Sequence, residues 1–261
     1  LRADPFADAD LTRDAMLGGL VQIWQPRIGY RAGTDPVLLA ASIQGVAGQS
    51  VLELGCGGGA ALCCLGRRVP GMRLAGLEIQ PGYAALARRN LSDNCLTGDI
   101  WQGDLIDPPK EMKAESFDHV MANPPYFEAG KGLIARDGGR GTGRAGEVPL
   151  HAWVQAAAKR LKPRGYATFI LRIERMPELM SAMRDQQLGS LELLPLLPRA
   201  GRPPRLFLLR GRKDGRGPFT FHVPQVIHPD TIRGDTPDNY TEIFRGVMLG
   251  GRPLEFEANR S

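Results

Sequence analysis

The chain has 261 residues, 43% of them hydrophobic and 23% charged, which suits one large globular domain with ample material for a buried core. No apolar stretch approaches the roughly 20 residues that span a bilayer, and Leu1 to Asp8 lack the layout of a signal peptide, so the cytoplasm is the expected location. A net charge of +5 permits a polyanionic partner without demanding one.

The first 45 residues read as an N-terminal extension. From Ser50 onward, short apolar runs alternate with helical patterns, the signature of a parallel sheet with crossover helices. The runs predict strands at 50–54, 72–77, 99–103, 117–122, 166–171, 191–196 and 205–211, with helices between them. Segment 81–91 opens with Pro81 in its first turn, and segment 149–162 stops at Pro163-Arg164-Gly165. The Gly-rich, charged stretch 128–148 is read as a loop beside the end of the fourth strand, of a length that is usually functional or disordered.

Glu53-Leu54-Gly55-Cys56-Gly57-Gly58-Gly59-Ala60 takes the first of these strands through a glycine turn into a helix, a turn suited to cradling a nucleotide. Gly55, Gly57 and Ala60 also satisfy G-x-G-x-x-A, which keeps an NAD-dependent dehydrogenase in view. Glu78, followed by Ile79, ends the second strand, where its carboxylate is placed to accept both hydroxyls of a ribose. That acid suits NAD and S-adenosylmethionine equally. Glu53 separates them, because a buried anion is unwelcome beside a pyrophosphate but suits a ligand bearing an ammonium and a sulfonium. Asp104, followed by Leu105, ends the third strand and is placed to accept an adenine amino group. Taken singly, Glu53 reads equally as a local pair, Glu78 as an exposed strand end and Asp104 as a turn starter. Together they lie at successive strand ends, where open α/β sheets bind ligands.

Asn123-Pro124-Pro125-Tyr126 follows the fourth strand, Phe117 to Ala122. An exocyclic amine on a base, or a carboxamide nitrogen, is a poor nucleophile because its lone pair is delocalised. The Asn123 side-chain oxygen and the Pro124 carbonyl can accept hydrogen bonds from such an NH₂, localising the lone pair, while Tyr126 stacks on its plane. Two prolines hold the segment extended, with its carbonyls outside any helix. A strand-ending turn is the plain alternative for this tetrapeptide taken alone.

The four cysteines, Cys56, Cys63, Cys64 and Cys95, have no C-x-x-C spacing and are expected to be reduced, buried, small apolar residues. The four histidines are scattered singly, and no metal site is predicted. Arg199, Arg202, Arg205, Arg210, Arg212, Lys213 and Arg216 crowd one short region, and Arg136, Arg140 and Arg144 lie in the Gly-rich stretch. These residues are candidate contacts to nucleic-acid phosphates; the alternative for 199–216 is a solvated edge hairpin kept soluble by charge.

In motif order the segment from Glu53 to Tyr126 resembles the class I S-adenosylmethionine-dependent amino-methyltransferases. Leu17-Gly18-Gly19 and the run Gln25-Pro26-Arg27-Ile28-Gly29-Tyr30-Arg31-Ala32-Gly33-Thr34-Asp35-Pro36 carry a narrower likeness. They resemble bacterial methyltransferases that act on adenine N6 beside the anticodon of a valine tRNA, a branch of the small-domain methyltransferases. The resemblance implies a Rossmann-like, seven-stranded, mostly parallel sheet with helices on both faces. Residues 1–45 would cover the cofactor site, and 46–261 would form the methyltransferase domain with a basic C-terminal hairpin. It implies that Tyr30, Thr34 and Asp35 close over the methionine end of S-adenosylmethionine, that Gly55 and Gly57 form its floor, and that Glu78 and Asp104 hold its ribose and adenine. Glu53, Ile79, Leu105 and Asn123 complete the cofactor set, and Asn123 through Tyr126 hold the target amine. Thr34 or Asp35 also reads as a helix cap before Pro36. The implied substrate is RNA, most simply a tRNA. Methylation of a protein glutamine is the alternative, although the extension is too short for the helical recognition domain such enzymes usually carry.

Overall fold

A computed structural model describes residues 6–125, 148–229 and 239–256. In chain order the elements are β1 (Leu11–Met16), β2 (Val21–Pro26), α1 (Asp35–Ser42), β3 (Ser50–Leu54), α2 (Ala60–Arg68), β4 (Arg73–Glu78), α3 (Pro81–Asp93), β5 (Gly98–Gln102), α4 (Lys110–Lys113) and β6 (Phe117–Ala122). They continue with α5 (Leu150–Arg160), β7 (Leu161–Arg172), α6 (Met176–Asp185), β8 (Leu188–Leu197), β9 (Leu206–Lys213), β10 (Thr220–Phe221), β11 (Gln225–Val226) and α7 (Glu242–Gly250).

The main sheet has the order β10-β8-β9-β7-β6-β3-β4-β5, with β11 also pairing β8. Its strands β3 to β7 are mutually parallel, and β9 runs antiparallel between β7 and β8. The seven predicted strands are therefore its seven long ones, and the short β10 and β11 extend one edge. Chain order reverses at β3, which has β4 on one side and β6 on the other. Leu54 stands beside Ala122 in that register, so Gly55 and Asn123 leave the sheet as neighbours at its topological switch point.

Both faces of the sheet are covered, because successive side chains alternate. Val51 and Met121 join a core cluster with α1, α2 and α7, while Leu52, Leu54, Val120 and Ala122 join a second cluster with α5 and α6. Two features depart from the expectations. The edge hairpin given as the alternative for the basic run does not form: β9 carries Arg210, Arg212 and Lys213 inside the sheet, where Phe207 and Leu209 are buried. Cys95 is exposed, whereas Cys56, Cys63 and Cys64 are buried as free thiols.

The N-terminal extension contains a separate antiparallel hairpin, β1 with β2. A pair of asparagines four residues apart, Asn90 in the last turn of α3 and Asn94 at its C-cap, takes the place of a neighbouring strand for β2. Asn90 accepts from the Trp24 N–H (2.8 Å) and donates to the Trp24 carbonyl (3.0 Å), and Asn94 does the same for Gln22 at 2.9 and 2.7 Å. Asn90 is wholly buried, and its amide also donates to the Gly58 carbonyl at 2.8 Å, tying the hairpin to the glycine turn. At the other end of the chain, Phe244 and Val247 of α7 enter the hairpin's core cluster, and the Leu254 N–H donates to the Ala41 carbonyl.

Candidate active site

The glycine turn after β3 has a shape that side chains would obstruct. Gly55 has φ +65°, and a Cβ there would lie 2.7 Å from the Trp153 ring; Gly57 has φ +52°, and its Cβ would lie 3.3 Å from the Tyr30 ring. Tyr30, 53% exposed, thus lies against the turn from outside, and its carbonyl accepts from the Tyr83 hydroxyl at 3.1 Å. Partial burial, followed by Glu53 and Asp35, holds the Tyr30 phenol above its usual range.

Two carboxylates lie beneath the turn. Glu78, 6% exposed, accepts from the Gly57 N–H at 2.9 Å and from the Gln80 N–H at 2.8 Å. Burial raises its pKa while these backbone donors oppose the rise. Glu53, 4% exposed, has its pKa pushed well up by burial and then by Glu78, and its Oε2 is buried with no hydrogen-bond partner among the described residues. Asp104 lies at the end of β5, where it accepts from the Ile106 N–H at 2.9 Å. Asn123 follows β6, and its Oδ1 is also buried without a partner among the described residues.

These residues line one cavity of about 520 Å³. Its wall includes Glu53, Gly55, Gly57, Glu78, Ile79, Asp104, Leu105, Asn123 and Pro125, along with Tyr30 from the extension. Pro124 is buried beside Asn123, and Tyr126, Arg136, Arg140 and Arg144 lie outside the described residues. Thr34 and Asp35 are not in the wall; Pro36 is. The Thr34 hydroxyl donates to Asp35 Oδ1 at 3.3 Å, and neither side chain caps α1, whose first turn closes through the Thr34 carbonyl and the Leu38 N–H.

Sequence reasoning missed Trp24 and Gln25 of β2, Tyr83 and Leu86 of α3, and Trp153 of α5, all of which also line the cavity. Alternation within Val21-Gln22-Ile23-Trp24 is the one signal that points to β2. Nothing local marks Trp153, whose ring reaches Gly55 only once α5 packs on the sheet.

The donor set discriminates between ligands. Among the described residues none of the wall is Lys, Arg or His, so a pyrophosphate would find three carboxylates and no cation. A buried unpaired carboxylate oxygen is costly to leave unmatched, and an ammonium in the cavity would satisfy it. Glu78 keeps acceptor capacity for ribose hydroxyls, and Asp104 for an amino group. The residues fit S-adenosylmethionine.

The basic cluster divides between different tasks. Arg210 pairs with Glu192 through two bonds of 2.9 Å, Arg212 donates to the Arg164 carbonyl at 3.2 Å, and Lys213 donates to the Ala158 and Leu161 carbonyls, each at 2.8 Å, at the end of α5. Arg199 donates to the Pro229 carbonyl at 2.7 Å, while Arg202 and Arg205 are exposed.

Comparison with known proteins agrees with this geometry. The methyltransferase small domain family matches residues 32–137. A Porphyromonas gingivalis protein named tRNA1(Val) (adenine(37)-N6)-methyltransferase is 31% identical over 246 residues, covering 87% of this chain and 94% of the relative. A Haemophilus influenzae protein of the same name is 25% identical, covering 84% and 90%. In fold, the chain is similar to a "predicted O-methyltransferase" of Agrobacterium tumefaciens (TM-score 0.68, 23% identity, covering 85% of this chain and 98% of that one). It is also similar to the Thermus thermophilus 16S rRNA N2 G1207 methyltransferase, solved with AdoMet and guanosine (TM-score 0.56, 21% identity, covering 78% and 50%). With nearly a third of its residues identical across most of both lengths, the chain belongs to the tRNA1(Val) (adenine(37)-N6)-methyltransferase family.

Proposed function

We propose that this protein is an S-adenosylmethionine-dependent methyltransferase that methylates the N6 amine of an adenine in a tRNA. The observation that carries the reading is the buried, unpartnered Asn123 Oδ1, which lines the same cavity as the unpartnered Glu53 Oε2. When bound, S-adenosylmethionine supplies an electrophilic methyl group. The protein supplies position and charge. Glu53 takes the ammonium, Glu78 the ribose hydroxyls, Asp104 the adenine amine, and the Tyr30 ring lies over the turn formed by Gly55 and Gly57. Asn123 Oδ1 and the Pro124 carbonyl accept from the two N–H bonds of the target amine, drawing its lone pair out of the ring and fixing its plane. The nitrogen becomes acidic once it has attacked, so its proton leaves to water without a strong general base.

Incubation with labelled S-adenosylmethionine and unmodified tRNA transcripts, followed by digestion to nucleosides, tests this. N6-methyladenosine is expected, and Asn123→Ala should lower kcat about 10²–10³-fold, the scale of losing one aimed hydrogen-bond partner in a catalytic site, while the protein still binds cofactor. Cofactor binding without transfer to RNA would redirect the assignment to a protein amide.

A further inference from the structure

The carboxyl edge of the sheet is divided by charge, with Asn123 at the boundary. On one side, β3, β4 and β5 present Glu53, Glu78 and Asp104. On the other side of β6 the strand ends carry arginines. Arg172 closes β7 and is exposed. Because β9 is antiparallel, its first residues and the last ones of β8 reach this same edge, so the connection 198–205 lies there too.

Register fixes the reach. Phe169 of β7 stands beside Ala122, and Leu206 of β9 stands beside Arg172, three residues further on. Arg205 is thus two strands across from the Asn123 segment, about 10 Å at the spacing of paired strands, and level with the chain that leaves β6. The connection is held in place. The Arg202 N–H donates to the Arg199 carbonyl at 3.2 Å around Gly201, whose φ is +69°, and Pro203-Pro204 stiffen the return. Arg205 is anchored by its own N–H to Leu196 and by its carbonyl to the Ile173 N–H, at 3.3 and 3.0 Å. Its side chain and that of Arg202 face solvent.

The rest of the basic run has other work. Arg212 is paired in register with Tyr166, toward the opposite edge, and Lys213 binds carbonyls at the end of α5. At the site edge, Arg175 is taken by Glu178 at 2.7 and 2.9 Å.

Resting on the proposed RNA substrate, we infer that the phosphate backbone crosses the sheet edge over β7, β9 and β8, on Arg202 and Arg205, and that the cationic cofactor occupies the acidic half. Arg210, Arg212 and Lys213 take no part in holding RNA. The division keeps each charged ligand out of the other's half and leaves Asn123 where the two meet.

Salt-dependent binding of an unmodified tRNA transcript, read by fluorescence anisotropy, tests the placement. Arg202→Gln with Arg205→Gln should make the log–log salt slope shallower by about 1.4, at about 0.7 per phosphate contact on a single strand. The same double variant should raise KM for RNA about tenfold with the cofactor dissociation constant unchanged, and both positions are exposed, so folding is retained. Arg212→Gln should leave the slope as it was. An unaltered slope in the double variant, or the loss appearing in Arg212→Gln instead, overturns the placement even where Asn123-dependent methylation of RNA is intact. Absence of any transfer from the wild-type protein to RNA overturns the proposed function, and this inference with it.

Discussion

If Glu53 takes the ligand's ammonium as proposed, its contributions to binding and to the fold have opposite signs. Its pKa in the folded protein is raised by burial and by Glu78. A carboxyl raised in this way contributes stability that is fully present below its unfolded pKa and is lost as pH rises through the folded one. At neutral pH, Glu53→Gln should therefore unfold at the same or a higher temperature than wild type in the absence of ligand. It should also weaken S-adenosylmethionine binding about 10–150-fold, the equivalent of a charged hydrogen bond of about 1.5–3 kcal/mol. Titration calorimetry in buffers of different ionisation enthalpy should register proton release as the wild-type protein binds cofactor, and none in the variant. A variant that is both less stable and normal in affinity would refute the assignment. Glu53, Glu78, Asp104 and Asn123 were legible in the sequence because each ends a strand, and strand ends of open sheets converge without any knowledge of packing. Thr34 and Asp35 were placed by resemblance instead, and the cavity wall passes through their neighbour Pro36.

At the scale of elements, the hairpin β1–β2 depends on two side-chain amides more than on other strands. Truncating Asn90 to Ala leaves the Trp24 N–H and carbonyl and the Gly58 carbonyl without their partner. Each unsatisfied group costs about 1–3 kcal/mol where it stays buried. Hydrogen exchange at the Trp24 amide should quicken in Asn90→Ala ahead of exchange in β3 and β6, and KM for the cofactor should rise more than kcat falls. Uniform loss of protection across the sheet would mean that Asn90 serves general stability only. The hairpin was illegible because β1, Leu-Thr-Arg-Asp-Ala-Met, is polar at three of its six positions and has one fully buried residue. Its partner is matched to α3 through side chains 66 and 72 residues away in sequence. The sequence placed β9 well in the chain but left its position in the sheet open, since charged residues on an apolar strand suit an edge as readily as an interior position whose charges reach outward to Glu192 and to α5.

The whole molecule carries an acid-sensitive joint where β3, β6 and β7 begin. Although burial opposes it, the Lys162 ammonium and the Ser50 N–H and hydroxyl, each at 2.8 Å, hold the Asp118 carboxyl down at about 2. Next to it, His119 is buried against Gln49 and Tyr166, and burial lowers its pKa to about 4. The Asp118 contribution is present above its unfolded pKa and is lost as pH falls toward 2. That of neutral His119 is present above about 6.5 and is lost as pH falls through 4. The His119 gap corresponds to roughly 3 kcal/mol, so denaturant titrations of His119→Gln should lose less stability than wild type between pH 7 and 4. Parallel curves would remove His119 from the account. The hairpin is also held by the last described helix: its Leu17–Gly19 turn packs on α7, where a Cβ on Gly18 would strike the Leu249 carbonyl. The strands that present Glu53, Glu78, Asp104 and Asn123 are complete at Ala122, yet the helix that braces the cavity's roof begins only at Glu242. A chain emerging from the ribosome thus exposes the floor of the cavity long before α7 can pack against the hairpin that covers it.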